Sequence, residues 1–194
     1  MCSKLIIVRH CKTYLNEENR EQGITDLPLS EEGIKQAQIL ALALKNEKVE
    51  VIYTSQFKRA IQTAEAINKF HNVPLLKEKI LNEMSYGIFE GMTINEIKEK
   101  YAELFEEWHK DEFNFKFPEG ESLSIIKNRL NQCLPSIASE KKNIMIVAHG
   151  EVSRVILGIL LNWSNEKIIS TKLRNGSVTI LETEKNPKLL VFNQ

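Results

Sequence analysis

The sequence predicts an α/β fold, a three-layer α/β/α sandwich with a mainly parallel sheet and a helical cap segment. Two observations carry this prediction. Short β-rich runs without polar interruption, such as KLIIV at 4–8 and NIMIVA at 143–148, are typical of strands buried on both faces of a parallel sheet. These runs alternate with amphipathic segments of helical period, as in βα units. We therefore expect one sheet with helices on both faces.

The predicted elements follow each other in a regular order. The strands are expected at 4–8, 49–55, 73–77, 143–150, 177–183 and 188–194. The helices are expected at 29–46, 57–70 and 93–108, after Ser122, and at 152–161. Parallel strands need crossover connections, which are usually helices, so this alternation favours parallel pairing over hairpins.

Two of the helices carry recognisable start signals. Ser30 is the predicted N-cap of the first helix, and two glutamates follow in its first turn, where negative charge is favourable. Thr93 and Glu96 have the spacing of a capping box at the start of the third. One apolar face of the first helix is predicted to pack on the sheet; its residues are Ile34, Ala37, Ala41 and Leu44.

One segment, 78–121, interrupts the alternation and is rich in aromatic residues. It holds eight of the chain's fourteen Phe, Trp and Tyr residues, and the interpretation depends on six of them, namely Tyr101, Phe105, Trp108, Phe113, Phe115 and Phe117. We interpret it as a cap insertion over one edge of the sheet, within a single domain spanning 1–194. The aromatic side chains are expected to form the cap's own core, and the sequence leaves open whether one of them also contacts a ligand.

The charge balance and the apolar runs narrow the classes of partner. Lys plus Arg and Asp plus Glu both number 26, so no overall field attracts nucleic acid or an acidic membrane. The longest apolar run, 155–161, is too short to cross a bilayer, and the first residues do not read as a signal peptide. Cys2, Cys11 and Cys133 have unrelated spacings and predict neither a disulfide framework nor a zinc site. We therefore expect a cytoplasmic protein.

Basic and imidazole side chains follow three of the predicted strands. Arg9 and His10 come directly after the first strand, Arg59 follows the second, and His149 ends the fourth. Ligands of open α/β sheets bind beyond the carboxyl ends of the strands, so these side chains are expected to meet at one edge. The other two histidines are predicted to be structural or surface residues.

These residue types favour phosphoryl transfer. Arginine binds phosphate oxygens through paired hydrogen bonds and stays charged at working pH, while a neutral imidazole is a nucleophile for phosphorus. No carboxylate cluster suggests a metal site, so we expect neither metal nor cofactor, with arginines stabilising the charge. A leaving alkoxide needs a proton donor, for which Glu83 and Glu90 are the candidates. Glu83 is favoured because it follows a short strand where the cap begins.

Several stretches at these positions resemble the histidine phosphatase superfamily, whose members share the phosphoglycerate mutase-like fold. In the family's order they are VRHCKTYLN, QGITDLPLSEEGIKQA, YTSQFKRAIQTAEAI, LNEMSYGIFEGMTINEI, FPEGES and IVAHGEVSR. The resemblance spans most of the chain, and YGIFEGMT is closer to the phosphatase branch. It implies a metal-independent phosphomonoesterase that acts on a small phosphorylated metabolite.

The resemblance also implies roles for individual residues. His10 is implied as the phosphorylated nucleophile, and Glu83 as the general acid and base. The side chains implied to hold the phosphoryl group are Arg9, Arg59 and His149. Further groups are implied to surround the phosphate or the substrate, namely Asn16, Gln22, Gly23 and the Gly150 amide.

The sequence departs from the family pattern beside the nucleophile, where Cys11 and Lys12 replace the usual glycine and an acidic or amide residue. Cys11 is predicted to be non-catalytic, in a loop that keeps a negative φ. Its side chain is either a small, half-buried filler or an accessible thiolate whose oxidation switches activity off. A cysteine-phosphatase mechanism is excluded, because Glu17 stands where that chemistry needs an arginine.

Two alternatives to a phosphatase stay open. A phosphoglycerate mutase-type enzyme would return the phosphoryl group to its substrate, but no arginine that could hold a second anionic group occurs between Arg59 and Arg129. A weakly active or non-catalytic phosphate-binding protein is the second alternative, because of Cys11 and Lys12. The sequence does not name the phosphomonoester, and it leaves a homodimer open.

Overall fold

The computed structural model describes residues 4–132, 134, 137, 142–183 and 187–194. Two of the three cysteines, Cys2 and Cys133, lie outside the described residues. The absence of a disulfide framework or zinc site at these cysteines therefore stays a prediction. The helices of the described ranges include none that is long and apolar enough to span a membrane.

A six-stranded sheet forms the centre of the described part of the chain. Its strands are β1 (Lys4–Arg9), β2 (Val51–Thr54), β3 (Leu75–Lys77), β4 (Ile144–Ala148), β5 (Val178–Glu182) and β6 (Lys188–Val191). Their order across the sheet is β3-β2-β4-β1-β5-β6. The first four in this order are parallel neighbours, whereas β5 is antiparallel to β1 and β6. The predicted mainly parallel sheet is confirmed.

The helices cover both faces of this sheet. They are α1 (Tyr14–Glu17), α2 (Glu31–Leu44), α3 (Lys58–Asn68), α4 (Ile94–Lys100), α5 (Ala102–Lys110), α6 (Leu123–Asn131), α7 (Gly150–Leu160) and α8 (Asn165–Ser170). Alternate side chains of β1 enter two separate apolar cores. Leu5 and Ile7 pack with residues of α6, α7 and the cap, while Ile6 and Val8 pack with residues of α2 and α3. Two cores on opposite faces confirm the α/β/α sandwich.

The predicted helix starts are confirmed, but one residue of the predicted apolar face is wrong. The Ser30 hydroxyl accepts a hydrogen bond from the Gly33 amide at 3.1 Å, and Thr93 and Glu96 form both bonds of the capping box. Ile34 is 47% exposed, whereas Gly33 is buried. A Cβ on Gly33 would lie 1.9 Å from the Lys12 carbonyl oxygen. The helix therefore packs its glycine against the loop after β1, and this rotation turns Ile34 outward.

The single helix predicted at 93–108 is wrong, because the chain breaks there into α4 and α5. Tyr101 separates them, with φ −135° and ψ 48°, outside the helical range. The ring of Tyr101 lies 5.3 Å from that of Phe89, measured between centroids. Tertiary packing of this ring accompanies the break, and the 3.6-residue period of the sequence does not reveal it.

The segment predicted as a cap, 78–121, carries α4, α5 and two 3₁₀ turns, Lys79–Leu81 and Gly87–Phe89. Aromatic rings surround the fully buried Phe117, with centroid distances of 5.2 Å to Tyr86, 5.6 Å to Phe89 and 5.0 Å to Trp108. The predicted aromatic core of this segment is confirmed. Its assignment as an insertion within a single domain stays a prediction.

Candidate active site

The carboxyl ends of β1 and β4 lie side by side and bring the two predicted site histidines together. Arg9 is the register partner of Ala148, and the His10 amide donates to the Ala148 carbonyl at 2.9 Å. The rings of His10 and His149, each one residue beyond its strand, have centroids 5.1 Å apart. Parallel pairing of two strands that end in the same register is the direct cause of this contact.

The ring of His10 has one nitrogen protonated and the other free to react. Its Nδ1 lies 2.7 Å from the Cys11 carbonyl oxygen, and a carbonyl only accepts, so Nδ1 carries the proton. Burial, Arg59 and Arg9 hold the pKa of His10 well below its ordinary value. The imidazole is therefore neutral near pH 7 and presents the Nε2 lone pair, which is the form that attacks phosphorus.

The ring of His149 is neutral as well, but its proton is on the opposite nitrogen. Nδ1 accepts a hydrogen bond from Arg59 Nε at 3.2 Å, and because a guanidinium only donates, the proton is on Nε2. Nε2 then donates to the Ser55 hydroxyl at 2.7 Å. Burial, followed by Arg59 and His10, keeps the pKa of His149 well below its ordinary value. Ser55 stands at the end of β2, and the sequence assigned it no role.

The guanidinium of Arg59 is fully buried beside these two imidazoles. It donates to the carbonyl oxygens of Gly23 at 2.6 Å and Thr25 at 3.0 Å, and it lies 4.8 Å from the centre of the Phe57 ring. Burial lowers the pKa of Arg59 to about 10, so the side chain stays charged at neutral pH. A fixed, buried cation of this kind stabilises an anion strongly.

Arg9 contributes a second cation, with a donor available for an anion. Its Nη1 donates to the Leu173 carbonyl at 2.5 Å, while its buried Nε has no hydrogen-bond partner among the described residues. A Cβ on Gly150 would lie 3.3 Å from the Arg9 guanidinium carbon. Glycine at this position therefore lets the guanidinium pack closely against the first turn of α7.

The carboxylate of Glu83 lies at the amino end of α7. Its two oxygens accept from the amides of Met84 at 3.0 Å, Glu151 at 3.1 Å and Val152 at 3.2 Å. Burial and the negative charge of Glu151 raise the pKa of Glu83 to about 6, against the opposing effect of these amides. A carboxyl group with this pKa can both give and take a proton near neutral pH.

Glu90, the second candidate proton donor, has a different place. Its carboxylate accepts from the backbone amides of Gly23, Ile24 and Thr25 and from the Thr25 hydroxyl, at 2.7–3.2 Å. The same loop gives its carbonyls to Arg59, so Glu90 holds the loop that orients the arginine. The sequence did not reveal this role, because nothing in its pattern shows that the loop amides converge.

Asn16 and Gln22 are both held by Thr13. The Thr13 hydroxyl donates to Gln22 Oε1 at 2.6 Å, and the Thr13 amide donates to Asn16 Oδ1 at 3.1 Å. Asn175 Nδ2 donates to the carbonyl of His10 and to Asn16 Oδ1, at 3.2 and 3.1 Å. Thr13 and Asn175 therefore organise the loop after β1, and the sequence analysis missed both.

A family model aligns with almost the whole chain. It describes the histidine phosphatase superfamily (branch 1) and matches residues 5–194. The chain belongs to this superfamily. The resemblance expected from the sequence motifs is thereby confirmed.

Relatives of this histidine phosphatase include proteins named as phosphatases. Phosphoserine phosphatase 1 of Hydrogenobacter thermophilus is 34% identical over 190 residues, which cover 97% of this chain and 90% of the relative. The alpha-ribazole phosphatase of Shigella flexneri has a TM-score of 0.89 at 25% identity, covering 98% and 96% of the two chains. A phosphoserine phosphatase mutant of Entamoeba histolytica, in complex with phosphoserine, has a TM-score of 0.86 at 26% identity, covering 99% and 97%. The prediction of an enzyme, a phosphatase of this family, is confirmed.

Cys11 of this histidine phosphatase points away from solvent and into the apolar core on the α2–α3 face. Burial raises the pKa of its thiol to about 12, so the thiol is protonated at any working pH. Its φ is not in the positive range, as predicted. The reading of Cys11 as an accessible thiolate is therefore wrong. The alternative interpretation, that the Cys11 side chain fills space in the core, is supported, although the side chain is fully rather than half buried.

Two cavities meet at Arg9. One, of about 470 Å³, extends from Arg9 and Gly150 to Trp108 in the cap. The other, of about 750 Å³, includes Lys12, Asn16 and Arg174. The histidine phosphatase thus offers room for the remainder of a phosphorylated molecule beside the predicted phosphate-binding residues.

Proposed function

We propose that this histidine phosphatase hydrolyses a small phosphomonoester through a phosphohistidine on His10, with Glu83 as the proton donor. One observation carries the proposal. His10 has its proton on Nδ1 and is held neutral by burial and by two arginines, so Nε2 is a nucleophile beside fixed positive charge.

In the first step, Nε2 of His10 attacks phosphorus and the bond to the leaving oxygen breaks. The phosphoryl oxygens lie against Arg9 and Arg59, which offset their charge in a water-poor site. His149 contributes through a hydrogen bond once it exchanges its Ser55 partner for the phosphoryl group. The protonated carboxyl of Glu83 gives its proton to the leaving alkoxide, so the alcohol departs neutral.

In the second step, the carboxylate of Glu83 takes a proton from water, and the resulting oxygen attacks phosphorus. The bond to Nε2 breaks, inorganic phosphate leaves, and His10 and Glu83 return to their starting states. A carboxyl group that must act as acid and then as base works best with a pKa near the working pH. The raised pKa of Glu83, about 6, supports this double role.

Mutase-type transfer is a second candidate, favoured by the cavity of about 750 Å³ that includes Lys12 and Arg174 beside Arg9. Two cations there could hold a second anionic group, as a bisphosphorylated substrate requires. Phosphoserine is the first hydrolytic substrate to test, because two of the relatives are named for it.

To test the proposal, the protein is incubated with phosphoserine and other small phosphomonoesters whose phosphoryl groups carry a radioactive label. Phosphate release and transfer to an added acceptor are measured side by side. We expect acid-labile, base-stable label on His10 and release of phosphate. His10→Ala should lose both label and turnover, whereas His71→Ala, a histidine after α3, should keep both. Label that persists on His10→Ala contradicts the proposal, and transfer in excess of release favours the mutase.

A further inference from the structure

The cavity of about 470 Å³ extends into the cap from two of the residues proposed to surround the phosphoryl group. Arg9 and Gly150 line its inner end, while Tyr86 and Trp108 form part of its wall. If the phosphoryl group lies between Arg9 and His10, the alcohol part of a substrate can extend into this cavity. The side chains that line it are therefore placed to select the alcohol.

Glu21 lines this cavity, and its backbone is held in place by two hydrogen bonds. Its backbone amide donates to the Met92 carbonyl at 2.9 Å, and its carbonyl accepts from the Gly91 amide at 2.8 Å. Tyr86 lines the same cavity. Glu21 also directly precedes Gln22 and Gly23, so it belongs to the loop that orients Arg59.

The carboxylate of Glu21 differs from that of its neighbour Glu151 in its partner. Glu151 forms an ion pair with Arg154, whose Nη1 also donates to the Ile169 carbonyl at 2.7 Å. Glu21 instead forms no ion pair with any of the residues that the structure describes. Burial and the charge of Glu151 raise the pKa of Glu21 to about 7, and a cation bound there would offset the repulsion from Glu151 and favour the charged carboxylate.

We propose that Glu21 is a specificity-determining residue that binds a protonated amine on the alcohol part of the substrate. The preferred substrates are then phosphate esters of amino alcohols. A neutral hydroxyl could also donate to this carboxylate, but only a cation offsets the repulsion from Glu151. The inference rests on the proposed function, because it requires the phosphoryl group at Arg9 and His10.

Binding of two non-hydrolysable phosphonates tests this inference without relying on turnover. 3-Aminopropylphosphonate and butylphosphonate have the same chain length and differ by an ammonium group in place of a methyl group. Calorimetric titration should give at least about tenfold tighter binding of the amine to the unmodified protein, since a hydrogen bond between two charged groups is among the strong ones. Glu21→Gln should lose most of that preference while keeping its affinity for butylphosphonate within about threefold.

Glu112→Gln is the matched control, because Glu112 lies in the lining of the same cavity but belongs to the cap. It should keep the preference for the amine. An equal loss in Glu112→Gln would mean that the overall charge of the cavity matters, and it would overturn the assignment to Glu21. Equal weakening of both phosphonates by Glu21→Gln would assign Glu21 a structural role, and it would overturn the inference as well. Equal affinity of the unmodified protein for the two phosphonates would also overturn the inference.

The pH dependence gives an independent readout. The charged and titratable groups around Glu21 are Arg9 from β1, Tyr86, Glu83, His109 and Glu112 from the cap segment, Glu151 and Arg154 from α7, and Lys172 after α8. Because the pKa of Glu21 is raised to about 7, more of it is charged at pH 8 than at pH 6. We therefore compare the affinity of the unmodified protein for 3-aminopropylphosphonate with that of Glu21→Gln. The ratio of the first affinity to the second should rise from pH 6 to pH 8. Glu83 and the phosphonate titrate in both measurements, so their effects largely cancel in this ratio. A ratio that does not change with pH contradicts the inference.

A hydrolysis assay separates this inference from the proposed function. Phosphoethanolamine, glycerol phosphate and p-nitrophenyl phosphate are compared. Loss of the amine preference in Glu21→Gln, with turnover of the other two esters kept, supports the inference. If none of the esters is hydrolysed while the amine preference in binding persists, the proposed function fails and the role of Glu21 in binding stands.

Discussion

Replacement of Glu83 by glutamine tests the proton-donor role most directly. Glutamine keeps the length of the side chain but cannot give up a proton to an alkoxide. The change should therefore lower kcat for esters of ordinary alcohols by about 10²–10⁴-fold, the usual contribution of a general acid. For p-nitrophenyl phosphate, whose leaving group is stable without a proton, we expect a loss of less than about tenfold.

The pH profile follows from the pKa of Glu83, which burial and Glu151 raise to about 6. The acid form is the one that protonates the alkoxide, so where phosphorylation limits the rate, kcat should fall as pH rises above about 6. This limb should be absent in Glu83→Gln. Glu151→Gln removes a like charge, so it should lower the pKa of Glu83 and move the limb to lower pH.

Steady-state rates on an alkyl phosphate and on p-nitrophenyl phosphate provide the measurement. Melting temperature is followed alongside, because the carboxylate of Glu83 accepts three backbone amides at 3.0–3.2 Å and glutamine cannot replace both oxygens as acceptors. Equal losses on the two substrates, together with a lower melting temperature, would refute the acid role and leave Glu83 as a cap for α7.

Three further results are expected. Activity should survive EDTA, because Arg9 and Arg59 already supply positive charge; strict dependence on added magnesium would contradict this. Cys11→Ser should keep substantial activity and lower the free energy of unfolding by about 1–3 kcal/mol, because the change buries a hydroxyl in an apolar core. Peroxide should inactivate this variant at the same rate as the unmodified protein. Slower inactivation of the variant would support the hypothesis that oxidation of Cys11 switches activity off. Gly23→Ala should lower the free energy of unfolding by about 1–3 kcal/mol and weaken phosphate binding, because the new Cβ would lie 2.1 Å from the Met84 carbonyl oxygen. An unchanged melting curve would contradict this close approach of Gly23 to Met84.

The parts of the site that the sequence revealed are those attached to regular strands. β1 and β4 are continuous apolar runs, and a residue that follows such a strand must lie at the carboxyl edge of the sheet. The sequence alone therefore predicted that Arg9, His10 and His149 lie close together. Arg59 in the first turn of α3 follows from the same rule, because α3 begins just after β2.

The parts that the sequence did not reveal depend on irregular backbone. Glu90 binds the loop amides of Gly23–Thr25, and no periodicity describes how that loop folds back. Cys11 has several cationic neighbours in the sequence, which suggested a thiolate. The chain leaves the strand at His10, however, and Cys11 joins the core that Ile6 and Val8 also enter. Burial then outweighs the neighbouring charges.

The same two arginines have opposite effects in the empty and in the occupied site. In the empty site Arg9 and Arg59 help to hold the pKa of His10 and His149 well below the ordinary value, so both imidazoles are neutral. A bound phosphoryl dianion would offset that positive charge. His10 is thus kept as a nucleophile until substrate arrives, and the bound dianion then favours hydrogen-bond donation by His149. Full burial of Arg59 and partial burial of Arg9 allow both effects, because screening by water would weaken each of them.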